Sequence, residues 1–176
     1  MVLPWSNIKK DFWPWNGVTN LGMGLTHEQM VVKPPVLLLG SLVGGPLLGR
    51  VFPVPLAPSN ATAHALGMSF VIVAFGLLLW SVSTFRGFGE RVMPEAETET
   101  LVQSGPYRYS RNPIYVAMAM LIVGAGLWTH NAWHLVLLCL CIPVLHVGVV
   151  LREESYLLEK LGPEYRDYWE RVNRYL

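Results

Sequence analysis

The sequence predicts an all-α protein, a multi-pass transmembrane bundle of about four helices completed by a helical segment at its C-terminal end. Hydrophobic residues make up 52% of the 176 residues and charged residues only 14%, which is too apolar for an ordinary soluble domain. The apolar residues fall into four stretches, and nearly all of the charge lies outside them. A chain of this length has room for one bundle and none for a separate soluble cofactor domain. Any cofactor is therefore expected to bind the bundle itself.

Residues 1–33 are predicted to form an interfacial segment rather than a membrane span. Prolines and a glycine interrupt this segment, and three tryptophans lie close to two lysines. Tryptophan and lysine favour the headgroup level of a bilayer, so the segment is expected to lie along the membrane surface. The pattern does not match a secretory signal peptide. The residues concerned are Pro4, Pro14, Gly17, Trp5, Trp13, Trp15, Lys9 and Lys10.

Four apolar stretches follow, and each is a predicted helix. The second is long enough to cross ~30 Å of hydrocarbon, whereas the third has fifteen residues, spans only ~22 Å and must extend into its flanks. A tight connection between Trp128 and Trp133 predicts that the last two helices form an antiparallel hairpin. The stretches are residues 35–52, 61–85, 114–128 and 132–151. We divide the chain accordingly into 1–33, a pair of helices in 34–88, and a C-terminal region in 89–176.

The distribution of basic residues predicts how the bundle is oriented. With four spans, twelve of the thirteen Lys and Arg residues lie on one side of the membrane and Arg50 alone lies on the other. The positive-inside rule then places both termini and the middle loop in the cytoplasm. Every Asp and Glu falls in the same segments, so a site that uses charged residues is expected on the cytoplasmic face.

Composition and spacing exclude two other classes of function. A net charge of +1 gives no concentrated basic surface, so no nucleic-acid partner is expected. Cys139 and Cys141 lack the usual metal-ligand spacing and are interpreted as packing residues. His130 and His134 lie four residues apart at the predicted hairpin turn, with no carboxylate or cysteine nearby, and we expect interfacial polar residues there and no metal site.

A first polar segment, residues 99–115, leads into the third helix. Gly105 and Pro106 predict a turn, and Asn112 followed by Pro113 is typical of a helix N-terminus. One interpretation of Asn112 is purely structural, as the N-cap residue of the helix with no role in binding. The free N–H groups of a helix start can also hold a carboxylate or phosphate, with Arg108 and Arg111 nearby. The tyrosines of this segment can pack against the planar ring of a ligand or anchor the chain at the membrane interface. They are Tyr107, Tyr109 and Tyr115.

A second polar segment, residues 152–172, follows the fourth helix. Glu153 and Glu154 begin it, and leucines at 157, 158 and 161 form the apolar stripe of an amphipathic helix that ends at Gly162 and Pro163. On local physics alone the segment is a solvated helix on the membrane surface.

Together the two segments resemble the C-terminal signature of the isoprenylcysteine carboxyl methyltransferase family and its phospholipid methyltransferase relatives. In that family a stretch like L-V-x-S-G-x-Y-x-x-x-R-H-P-x-Y precedes a helical hairpin, which is followed by paired glutamates and an F-G-x-x-Y-x-x-Y segment. Here these motifs correspond to residues 101–115, 153–154 and 161–168. The resemblance covers about residues 89–175, and the combination is specific although each motif alone is weak.

The resemblance implies a SAM-dependent methyltransferase (SAM, S-adenosylmethionine), with S-adenosylhomocysteine as product. The acceptor would be a lipophilic or amphipathic molecule that arrives from the membrane lipids. No residue is assigned a catalytic role, because in-line methyl transfer mainly needs alignment and exclusion of water. By the resemblance, SAM is bound by Glu99, Thr100, Leu101, Val102, Tyr107, Asn112, Pro113, Ile114, Tyr115 and Glu153. The candidate acceptor contacts are Arg108, Arg111, Arg152 and Glu154.

Two departures from the family pattern bear on the acceptor. Asn112 stands where the motif has histidine, and Val149 stands where the carboxyl methyltransferases carry a substrate-binding arginine. Carboxylate, amine and thiol acceptors therefore all stay open, as does the oligomeric state. The alternatives to a methyltransferase are an NADPH-dependent reductase, since sterol reductases share a similar C-terminal architecture, and a non-catalytic membrane module.

Overall fold

The computed structural model describes residues 33–56, 61–88 and 101–175 and confirms the predicted all-α class. All four apolar stretches are helical. The first three begin and end within two residues of the predicted positions, and the fourth continues beyond its predicted end. The predicted interfacial segment lies outside the described residues, apart from Lys33. The helices are α1 (Pro34–Val51), α2 (Ala61–Gly87), α3 (Pro113–Thr129), α4 (Trp133–Leu145), α5 (Leu151–Leu161) and α6 (Pro163–Arg171), with a short 3-10 turn at Gly105–Arg108 and a π-turn at His146–Val150.

Three helical stretches are long and apolar enough to cross a membrane. They are α1, α2 and the continuous helix Trp133–Leu161, which comprises α4, the π-turn and α5. The apolar helix α3 is shorter, with 17 residues and a length of ~26 Å. It extends one residue beyond the predicted fifteen at each end and is still shorter than ~30 Å of hydrocarbon.

Small residues form the buried faces of α1 and α2, whereas α3 also buries Met118, Leu121 and Ile122. On α2 the buried residues are Gly67, Ala74 and Ser81, spaced seven apart, while bulky neighbours such as Phe75 and Leu79 are exposed. This arrangement is the reverse of a soluble core and is typical of helices in lipid, where close backbone approach replaces the hydrophobic effect as the packing force. Helix α3 lies centrally and contacts α1, α2 and α4.

The tightest approach joins α2 to α3. A Cβ atom built on Gly67 would lie 2.5 Å from the backbone nitrogen of Trp128, and one built on Gly124 would lie 2.9 Å from the carbonyl oxygen of Gly67. Because these contacts are backbone atoms, they cannot turn away as a flexible side chain would.

We therefore expect Gly67→Ala to lower the free energy of unfolding by about 1–3 kcal/mol, since the added methyl group forces the helices apart. The same substitution at Gly76, whose Cβ would meet nothing within 4 Å, is the matched control and should be neutral or slightly stabilising. Thermal unfolding in one detergent, followed by circular dichroism, measures both. Equal effects at the two positions would contradict the close packing.

The fourth predicted helix does not end at residue 151 but runs on to Leu161. Pro143 lies inside it and removes one backbone donor, and the π-turn at His146–Val150 inserts extra backbone before α5 begins. Gly162, with φ of +56°, ends α5 as predicted, and Pro163 starts α6. The long helix therefore carries the paired glutamates directly from the membrane-spanning part of the chain.

Candidate functional site

The start of α3 and the start of α5 meet at one end of the bundle. The hydroxyl group of Tyr115 donates a hydrogen bond of 3.2 Å to Oε2 of Glu153. Each residue is the third of its helix, and both are partly buried. The structure thus brings together the two residues on which the expected cofactor pocket most depends.

Tyr107 lies beside this pair, after the turn formed by Gly105 and Pro106. Its ring is buried and contacts Phe85 of α2 at 5.6 Å between centroids. Burial, followed by the negative charge of Glu153, raises the pKa of the Tyr107 phenol, which therefore stays protonated as a hydrogen-bond donor. Among the described residues its hydroxyl group has no hydrogen-bond partner, although the atom is buried.

Glu154 forms a buried ionic cluster on the adjacent face of α5. Arg174 binds both carboxylate oxygens of Glu154, through Nε at 2.9 Å and Nη2 at 2.8 Å. Nη1 of Arg111 lies 2.9 Å from Oε1 of the same carboxylate, and its guanidinium group also packs 5.2 Å from the ring centroid of Trp169. The bidentate hydrogen bonds to Glu154 raise the pKa of Arg174. Two cations thus share one carboxylate, and the Arg111–Glu154–Arg174 cluster keeps a net positive charge.

The residues after α6 return across the loop that precedes α3. The backbone N–H of Arg111 donates to the carbonyl oxygen of Asn173 at 2.9 Å, and Nδ2 of Asn112 donates to that of Arg174 at 3.1 Å. Asn112 does occupy the N-cap position of α3, but its side chain makes no capping hydrogen bond. Its amide instead fastens the C-terminal segment to the site.

Further contacts close this end of the bundle. The hydroxyl group of Tyr168, on α6, donates to the carbonyl oxygen of Tyr107 at 2.8 Å. Nδ1 of His146, in the π-turn, lies 2.7 Å from the hydroxyl oxygen of Tyr175. His146 is therefore hydrogen-bonded within the bundle.

The other candidate residues are placed as follows. Leu101 is partly buried and Val102 is buried, and the adjacent Gln103 accepts a hydrogen bond from Arg171 of α6. Pro113 is buried, and Ile114 is partly buried at the start of α3. Arg108 is exposed and Arg152 is partly buried. Glu99 and Thr100 lie outside the described residues.

Arg111 and Glu154, considered above as acceptor contacts, bind each other in the structure. Sequence reasoning did not single out Arg174, Tyr168 or Tyr175 as parts of the site. Tyr168 belongs to the Y-x-x-Y motif that carried the family resemblance, so a signal for it was present. Arg174 and Tyr175 lie at the very end of the chain, where only folding shows that they return to α5 and the π-turn.

Known proteins resemble this chain at the level of sequence. The model of the family described as "Phospholipid methyltransferase" matches residues 62–164, more than half of the chain. Nickel-cobalt-cadmium resistance protein NccN of Alcaligenes xylosoxydans xylosoxydans is 37% identical over 113 residues, which cover 64% of this chain and 49% of that protein. Cobalt-zinc-cadmium resistance protein CzcN of Cupriavidus metallidurans is 28% identical over 116 residues, covering 66% of this chain and 48% of that protein.

An uncharacterized protein of Haemophilus influenzae is 32% identical over 63 residues, which is its full length and 36% of this chain. The chain thus spans about half the length of the two metal-resistance relatives that it matches. No solved structure gives a significant match.

Proposed function

Because this chain belongs to the phospholipid methyltransferase family, we propose that it is a membrane-embedded enzyme that transfers the methyl group of SAM to a lipophilic or amphipathic acceptor. The observation that carries the proposal is the contact between Tyr115 and Glu153, which joins the two separate family motifs in one place. The names of the two metal-resistance relatives do not bear on the methyl acceptor.

The residues at this end of the bundle fit the chemistry of SAM. SAM has a sulfonium centre, an amino-acid end with an ammonium and a carboxylate group, a ribose diol and an adenine ring. The carboxylate of Glu153 can bind the ammonium group or the ribose hydroxyls of SAM. A bound ammonium group would in turn favour the ionised form of this carboxylate. The phenol of Tyr107, whose hydroxyl group has no partner within the described part of the chain, can donate to an acceptor atom of the cofactor.

The first turn of α3 suits the carboxylate end of SAM. Pro113 has no N–H group, but the N–H groups of Ile114 and Tyr115 have no acceptor within the helix, and the side chain of Asn112 does not cap them. Ile114 and the neighbouring tyrosines can bound the apolar and aromatic parts of the cofactor. Leu101 and Val102 would complete the pocket on the side of the loop.

When bound, SAM supplies an electrophilic methyl group on a positively charged sulfur atom. The chain has to bind that molecule, orient it and exclude water, because in-line displacement needs alignment of the reacting groups more than an acid–base dyad. Tyr115 holds the Glu153 carboxylate in one orientation through their hydrogen bond. Tyr168 and the C-terminal segment cover the loop that carries Tyr107.

For the acceptor we propose entry from the bilayer, with its polar group near Arg108 and Arg152. Arg111 and Glu154 would not contact the acceptor themselves but would hold the loop and α5 in place through their ion pair.

We further propose four spans, with the short α3 as the third, and a cytoplasmic location for both termini and the site. The basic residues support this orientation, since twelve of thirteen would lie on the cytoplasmic side. The proposed division of the chain is unchanged, with a methyltransferase region in residues 89–176 preceded by two helices in 34–88 and an interfacial segment in 1–33.

Ligand titration of the purified protein in detergent tests the proposal. SAM and S-adenosylhomocysteine should each raise the thermal unfolding midpoint in a concentration-dependent way, because a ligand that binds only the folded state stabilises it. NADPH should have no effect. Incubation with methyl-labelled SAM and a total lipid extract should then yield a labelled lipophilic product. Stabilisation by NADPH alone would favour a reductase, and no response to any of the three would favour a non-catalytic module.

A further inference from the structure

Two histidine side chains meet at the other end of the bundle. His64 lies in the first turn of α2, and His130 directly follows α3. Their Nε2 atoms are 3.2 Å apart. Since Tyr115 is near the start of α3 and His130 is at its end, about 22 Å of helix separates this pair from the proposed methyltransferase site.

The hydrogen bond on the other nitrogen of His64 sets its tautomer. Nδ1 of His64 lies 3.0 Å from the carbonyl oxygen of Trp128, and a carbonyl oxygen can only accept. Nδ1 therefore carries the proton, and in the neutral ring Nε2 presents its lone pair toward His130. A ring N–H bound to a backbone carbonyl is the usual outer-shell arrangement of a metal-binding histidine.

The distance between the two Nε2 atoms fits a shared ion. Two imidazole nitrogens at 2.0–2.1 Å from one tetrahedral Zn²⁺ ion are roughly 3.3 Å apart, close to the 3.2 Å between the Nε2 atoms. The rings are nearly perpendicular, at 87°, with centroids 4.4 Å apart. Two rings that both direct a lone pair at one tetrahedral ion would have centroids roughly 5 Å apart, so one ring has to turn from its present hydrogen-bonded position when the ion binds.

The backbone holds His130 rigidly in an unusual conformation. Its φ is +51°, and it is the one non-glycine residue with positive φ among the described parts of the chain. The position after a helix is usually glycine when the backbone is left-handed. The carbonyl oxygen of His130 accepts a hydrogen bond from the N–H of Leu56 at 3.1 Å, which fixes the turn. This fixed turn holds the Cα atom of His130 close to His64, while rotation about the side-chain bonds can still adjust its ring.

We propose that His64 and His130 together bind one divalent ion of the kind that favours imidazole, such as Zn²⁺, Ni²⁺ or Cu²⁺. Within the described residues no group of three or more His, Cys, Asp and Glu side chains converges, so water would complete the coordination. The sequence-based expectation of no metal site weighed His130 with His134 and treated His64 as a hydrogen-bonded residue of the bundle. In the structure His134 is buried, with Nδ1 3.3 Å from the carbonyl oxygen of Asn131, and His64 takes its place beside His130.

Calorimetric titration of the full-length protein in detergent with ZnCl₂ and NiCl₂, after removal of any histidine tag, tests this site. We expect one ion per chain at saturation. His64→Gln and His130→Asn should each weaken binding more than tenfold, since even loss of an outer-shell partner costs ~10–100-fold. Asparagine is chosen at 130 because it tolerates positive φ. His146→Gln removes an imidazole at the other end of the bundle and should leave the titration unchanged.

Absence of saturable binding, or unchanged binding in both variants, would overturn the proposal. Circular dichroism without metal establishes that the variants are folded. A second measurement does not depend on the variants: electron paramagnetic resonance of the wild-type protein with one equivalent of Cu²⁺ should show coupling to two imidazole nitrogens. Coupling to fewer than two would equally reject the site.

Discussion

Replacing Glu153 with glutamine is expected to abolish most of the binding of SAM. The substitution keeps the size of the side chain but removes the negative charge that we propose as the partner of the cofactor's cationic end. Loss of one member of a hydrogen-bonded charge pair that is shielded from water costs about 2–5 kcal/mol, which corresponds to roughly 30- to 4,000-fold in affinity. The amide can still contact the hydroxyl group of Tyr115, so the helices should stay in place.

Calorimetric titration with SAM measures this effect, and Glu159→Gln is the matched control. Glu159 lies on the same helix and is exposed, so the identical chemical change should leave the affinity unaltered. Tyr115→Phe, which removes only the hydrogen bond to Glu153, should weaken binding by about tenfold. Wild-type affinity in the Glu153 variant would show that the cofactor, if bound, lies elsewhere.

The helices of this protein could be predicted because lipid imposes a simple rule on the chain. Every backbone polar group inside a bilayer must be satisfied within the segment, so an apolar stretch of adequate length is a helix. The boundaries of α1 and α2 follow from that rule. The long helix Trp133–Leu161 does not, because its apolar part ends near Leu151 and the π-turn carries the backbone onward into charged sequence.

The candidate site could be predicted in part. Tyr115 and Glu153 were paired through two motifs, and the structure places them in contact. The role of Arg174 could not be foreseen, since a basic residue at the end of a chain is also what the positive-inside rule predicts for a cytoplasmic tail. Likewise no local spacing links His64 to His130, which are 66 residues apart and meet only because α2 packs against α3.

The largest effect on stability is expected from Glu154→Gln. This carboxylate is 8% exposed and is the shared partner of Arg111 and Arg174. Its loss leaves two guanidinium groups close together without their counter-ion, and breaking a buried pair by removing one partner costs about 3–5 kcal/mol. We expect a much lower thermal unfolding midpoint in detergent. The exposed Glu159→Gln again serves as control and should stay within about 0.5 kcal/mol of the wild type.

A compensating variant distinguishes two causes of the lost stability: the missing carboxylate contacts and the unpaired positive charge of the two arginines. If unpaired positive charge is the cause, adding Arg111→Met and Arg174→Met to Glu154→Gln should restore much of the lost stability, because replacing a whole buried ionic cluster by apolar side chains is often neutral or stabilising. If the triple variant is no more stable than Glu154→Gln alone, packing around α5 matters more than charge. The triple variant should still bind SAM more weakly than the wild type, since the side chain of Arg174 no longer ties the C-terminal segment to α5.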